Sequence, residues 1–126
     1  MTSYRSGHVL NAGSGKQPCL VEVYLDFTCP FSHKMWKPLF SNDESVVKAF
    51  PNVRVVMHQI PQPWHPQSTL VHEAALAAKE ATVDDKAFFN FLTSLFVNQE
   101  EFFDVNCWNK TRQEIYDRLI ELAKES

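Results

Sequence analysis

Leu20-Val21-Glu22-Val23-Tyr24-Leu25-Asp26-Phe27-Thr28-Cys29-Pro30-Phe31-Ser32-His33 is the stretch on which the fold turns. Its first eight residues are rich in β-branched and aromatic side chains, with Glu22 and Asp26 the only charges, and predict a mostly buried strand. Thr28 and Cys29 break the run. Pro30 is preorganised for the first position of a helix, because its fixed φ suits the helix and its missing N–H is not needed there. Helical periodicity then runs to about Phe50, with Phe31, Met35 and Leu39 at four-residue steps on one apolar face. Pro38 should kink this helix. Ser41-Asn42-Asp43-Glu44 reads as an interruption with a fresh N-cap before Val46. Val53 to Ile60 is a second strand, so strand, helix and strand form a βαβ unit with parallel strands.

On the near side, residues 1–18 form an irregular or short-stranded lead-in, with Gly13-Ser14-Gly15 as a turn. On the far side, Pro61-Gln62-Pro63-Trp64-His65-Pro66 cannot be regular structure. From Ser68 the chain is helical. An alanine-rich helix to about Ala81 is suited to close packing, and Thr82-Val83-Asp84-Asp85 caps a second helix whose Phe88, Phe89, Phe91 and Phe96 predict core packing. A turn of helix near Phe102-Phe103 follows. Thr111 and Glu114 have capping-box spacing before a last helix. The expected division is residues 1–66, the βαβ portion, and 67–126, a helical subdomain.

Composition limits the function classes. The chain has 126 residues, 44% hydrophobic and 21% charged, with a net charge of -3; one compact domain fits that length. The basic residues are scattered among acids, so nucleic acid is not an expected partner. No apolar run approaches a membrane span, and Met1 to Lys16 lacks a signal peptide's apolar stretch; the expected location is cytoplasmic, or secreted, ER or periplasmic if a signal peptide has been removed. Cys19, Cys29 and Cys107 are odd in number and widely spaced, which is not a disulfide framework. Cys29, His33, His65 and His72 complete no zinc-ligand spacing, so no metal is expected. Cys19 and Cys107 are expected to be packing residues.

Cys29 stands where a strand ends and a helix begins. The free N–H groups and dipole of a helix N-terminus stabilise a thiolate, so Cys29 is the candidate nucleophile. His33, one turn on, lies on the same face, and Ser32 is within reach of the sulfur or of its own backbone. Both parallel strands release the chain at the same end, where open α/β sheets hold ligands. Cys29, Ser32 and His33 therefore form the candidate catalytic group, with Phe31, Gln62, Trp64 and His65 as candidate substrate contacts.

The segment Tyr24 to His33 resembles the active-site segment of DsbA-like thioredoxin-fold proteins, whose motif follows a strand ending in Asp-Phe. Ile60 to Ser68, followed by the alanine-rich stretch Val71 to Ala78, resembles that family's passage from its second strand into an inserted helical domain. The resemblance implies an α/β fold, a thioredoxin-like βαβ unit with an inserted α-helical subdomain, whose C-terminal ββα portion is absent because the sequence stops at Ser126. It implies a thiol–disulfide oxidoreductase-like protein. Ser32 replaces the second cysteine of the family's Cys-x-x-Cys, so no disulfide forms within the motif. A single thiol still forms and exchanges mixed disulfides with protein thiols or with glutathione as co-substrate, no other cofactor being expected. Kappa-class glutathione transferases and hydroxychromene-carboxylate isomerases are similar too, with Ser-Pro-Tyr-Ser in the same place. Transferase or isomerase chemistry and an inactive binding module are therefore the alternatives. The missing strands imply either a fragment or a homo-oligomer that completes the sheet.

Overall fold

The computed structural model describes residues 7–15, 19–40 and 45–126. Its elements are β1 (His8–Asn11), β2 (Cys19–Leu25), α1 (Pro30–Phe40), α2 (Val46–Ala49), β3 (Val53–Gln59), α3 (Ser68–Ala81), α4 (Asp85–Val97), a 3-10 turn (Gln99–Phe102), α5 (Asp104–Cys107) and α6 (Arg112–Glu125). The chain is α/β, and it divides into two compact units: one holds residues up to Leu25 together with Lys34–Ile60, the other Asp26–His33 with Pro61–Ser126.

The first unit is built on a three-stranded sheet in the order β1-β3-β2. β2 and β3 are parallel, in register from Cys19↔Val53 to Leu25↔Gln59. The lead-in supplies β1, antiparallel to β3, with a register shift between Val9 and Asn11. That makes β3 the central strand. Val55, Val56 and Met57 are each at most 1% exposed, and successive strand residues point to opposite faces, so both faces of β3 are covered. Gly7 is required at the start of β1: a Cβ there would lie 2.5 Å from Val56 Cγ1 and 2.8 Å from the Met57 carbonyl oxygen. Gly13 and Gly15 take positive φ, 74° and 88°, where a side chain would be strained.

Three expectations change here. β2 is an edge strand rather than a mostly buried one: Val23 and Leu25 are buried while Val21, Glu22 and Tyr24 are exposed. Cys19, expected to pack, is exposed, because it opens that edge strand. In α1 the expected apolar face is reversed. Phe31 is 80% and Met35 49% exposed, and the side chain buried from this helix is Trp36, packed on Phe40 at 4.5 Å. A four-residue step identifies residues that share a face but not which face is buried. The N-cap expected at 41–44 falls outside the described residues; Ser45 precedes α2 without a side-chain cap.

The second unit packs α3, α4 and α6 around Val71, Phe88, Phe91, Leu92, Leu95, Ile115, Leu119 and Leu122, all at most 4% exposed. Each fully buried large apolar side chain contributes about 1.5–3 kcal/mol. Asp84 caps α4 by accepting from the Lys86 N–H, and Thr111 with Glu114 forms the complete capping box of α6. The 3-10 turn is tied to α6 by Arg118, whose Nε and second guanidinium nitrogen donate to Glu101 at 2.8 and 3.0 Å. Ala74, Ala77, Ala78 and Ala81 of α3 line an open groove of about 630 Å³ with Phe91 and Leu119.

Candidate functional site

The segment Asp26–His33 belongs wholly to the second unit, together with the loop after β3. Phe27 fixes it there: the ring is fully buried and lies 4.7 Å from the His72 ring and 5.1 Å from that of Phe96. Phe27 and Thr28 form a turn, closed by the Cys29 N–H donating to the Asp26 carbonyl at 3.1 Å. Cys29 then stands immediately before α1, and its carbonyl accepts the first helical bond from the His33 N–H at 3.1 Å. Cys29 therefore holds the N-cap position of α1, next to the N–H groups that the first turn leaves unsatisfied. It is 8% exposed.

The carbonyls on either side of the turn share one donor. Gln99, at the start of the 3-10 turn and 4% exposed, donates its Nε2 to the Phe27 oxygen at 2.8 Å and to the Cys29 oxygen at 3.2 Å. A buried carbonyl left without a donor costs about 1–3 kcal/mol, so Gln99 holds the backbone around the thiol.

Beneath the turn lies Asp26, 1% exposed. Its Oδ1 accepts from the Thr28 N–H and hydroxyl, both at 2.9 Å, and from the Ser68 hydroxyl at 2.6 Å, with His72 Nε2 at 3.4 Å. Its Oδ2 accepts from the Gln62 N–H and from His65 Nδ1, each at 2.9 Å. Burial alone would push this carboxyl's pKa up. The hydrogen bonds from His72, Ser68, His65 and Thr28 outweigh burial and hold it well below the usual carboxylate range. Asp26 is a buried anion that joins the Cys29 turn to the Pro61–Pro66 loop and to α3.

The residues singled out in the sequence fall into different places. Ser32 accepts the Asp26 backbone N–H on its Oγ at 3.1 Å, so its hydroxyl serves the turn. His33 is half-buried and stacks on Phe96 at 5.9 Å. Gln62 contributes its backbone N–H to Asp26, while its side-chain oxygen is buried with no partner among the described residues. Trp64 is 65% exposed and lies edge-on to His65 at 6.1 Å. His65 lines a cleft of about 300 Å³ with Thr28, Pro30, Phe103, Asp104 and Val105. The cleft is thus bounded by both chain neighbours of Cys29 and by His65, whereas Ser32, His33 and Trp64 do not line it.

Asp26, Ser68, His72 and Gln99 also belong to the candidate site, although they lie outside the group expected from the sequence. A signal existed for the first three. Asp26 is an acid directly after an apolar strand, and His65, Ser68 and His72 follow at three- and four-residue steps. Gln99 carried no signal, being 70 residues from the carbonyl it serves. Cys107 is buried, as expected, and its thiol donates to the Glu101 carbonyl; burial pushes its pKa up. Among the described residues no cluster of His, Cys, Asp and Glu could hold a metal ion, and no helix is long and apolar enough to cross a membrane.

No protein-family model matches the chain, and no curated protein matches its sequence. A solved structure does: the crystal structure of a putative protein-disulfide isomerase from Pseudomonas syringae. The two superpose with a TM-score of 0.77 at 26% identity, over 94% of this chain and 66% of that one. The present chain thus spans just under two thirds of the Pseudomonas protein's length. The fold is of the DsbA-like thioredoxin type.

Proposed function

We propose that this chain belongs with the DsbA-like thiol–disulfide oxidoreductases and acts as a monothiol member, Cys29 forming mixed disulfides with protein thiols or with glutathione. The observation that carries the proposal is Cys29 at the N-cap of α1, in a turn held by Gln99 and by the anion Asp26. A helix N-terminus favours the thiolate, which is the species that attacks a disulfide. The likeness to the Pseudomonas structure supports the same chemistry. Phe31, 80% exposed two residues after the thiol, and Trp64, 65% exposed, offer apolar contact to a substrate chain. No resolving thiol stands at Ser32, so the mixed disulfide persists until a second thiol arrives.

The test restores the missing thiol. Ser32→Cys should let the motif form its own disulfide and confer catalysed reduction of a peptide disulfide in the presence of a reducing thiol, while Cys29→Ser in the same background abolishes it. If S32C gains nothing while wild-type Cys29 also forms no mixed disulfide, the oxidoreductase proposal fails.

A further inference from the structure

His65 is anchored on one side only. Its Nδ1 lies 2.9 Å from Asp26 Oδ2, and Asp26, held as a carboxylate, can only accept. The shared proton therefore sits on Nδ1, and the neutral ring carries its lone pair on Nε2. Among the described residues Nε2 has no hydrogen-bond partner. The side chain is 24% exposed and forms part of the wall of the cleft that Thr28 and Pro30 also line. With Nδ1 tied down, Nε2 is the nitrogen left for a molecule in that cleft. The charged and titratable groups around it are Asp26, bonded to Nδ1, His72, which shares Asp26, and Asp104, which lines the same cleft.

We propose that His65 Nε2 is the proton-transfer group of the exchange at Cys29. This rests on the mixed-disulfide function proposed above. In the first step neutral His65 takes the proton of the Cys29 thiol on Nε2, becoming imidazolium, and the Cys29 thiolate attacks one sulfur of a substrate disulfide. The substrate S–S bond breaks, a Cys29–substrate S–S bond forms, and the released thiolate takes its proton from Nε2–H of the imidazolium. In the second step neutral His65 accepts the proton of an incoming thiol as that sulfur attacks the substrate sulfur of the mixed disulfide. Cys29 leaves as thiolate, one S–S bond has replaced another, and no outside oxidant is needed. Asp26 acts through His65 as a positioning residue, fixing tautomer and ring orientation.

The experiment follows release of glutathione from protein carrying it on Cys29, for wild type and His65→Asn. The asparagine side-chain nitrogen can take the place of Nδ1 and donate to Asp26, but it supplies no base. With an aliphatic thiol, largely protonated at neutral pH, H65N should release glutathione at least tenfold more slowly, general base catalysis being worth about 10²–10⁴. With an aromatic thiol already ionised at that pH the two proteins should match, and the aliphatic gap should close as pH rises. Equal rates with both thiols, or equal slowing with both, would overturn the proposal, since a merely structural role does not discriminate between attacking thiols. Should H65N not fold by circular dichroism, His65→Gln takes its place with the same criteria. Failure of Cys29 to take up glutathione at all would instead overturn the parent function.

Discussion

A carboxylate 1% exposed is costly to bury, and Asp26 is tolerated because every donor that meets it comes from the groups it must join. Asparagine in its place keeps one acceptor oxygen and turns an NH2 toward donors that need an acceptor. Asp26→Asn should therefore destabilise the protein by on the order of 3 kcal/mol, read from urea unfolding. The pH dependence has a definite sign. The folded pKa lies below the unfolded value, so the unfolded state binds more protons in the acid range. The contribution of Asp26 is complete above the unfolded value of about 3.9 and erodes as pH falls from there toward the folded pKa. The wild type should lose its advantage over D26N in that window and not between pH 5 and 7. Apart from Thr28, the partners of Asp26 lie 36 to 46 residues away, which is why local pattern identified Cys29 but not the anion beneath it.

Among the elements, those decided locally were legible in the sequence. The strand before Cys29, the proline that opens α1, the Asp84 cap and the Thr111–Glu114 box are all short-range features, and they stand where expected. Features that depend on tertiary partners were not: the burial of Trp36 instead of Phe31, and the pairing of His8–Asn11 with β3. The 3-10 turn is the element whose importance shows only in the structure, since its Gln99 holds the Cys29 turn and its Glu101 is held by Arg118. Gln99→Leu removes both donated bonds and should cost about 2 kcal/mol. Amide hydrogen exchange through Thr28–His33 should quicken in that variant, by more than in β3. Unchanged exchange in that segment would show that Gln99 is not its support.

For the molecule as a whole, each unit brings its own consequence. In the first, β2 pairs with β3 on one side; its other edge, seven residues over Cys19–Leu25 with Val21 and Tyr24 exposed, has no strand partner among the described residues. Such an edge is a template for another strand. The chain is expected to self-associate through it, and Val21→Lys should shift sedimentation toward monomer; a wild type that stays monomeric at high concentration contradicts this. Cys29, Asp26, His65 and the residues lining the cleft all belong to the second unit, so the proposed chemistry needs residues of that unit alone.

If Cys29 is a nucleophile by position rather than by exposure, its reaction with glutathione disulfide will show it. The protein is incubated with it at neutral pH, quenched in acid, and the modified cysteine located by mass spectrometry over time. Exposure alone ranks exposed Cys19 first, then Cys29 at 8%, then Cys107 at 2%. Cys29 should be modified ahead of Cys19, with Cys107 unmodified until the protein unfolds. Modification of Cys19 with Cys29 left untouched would contradict it.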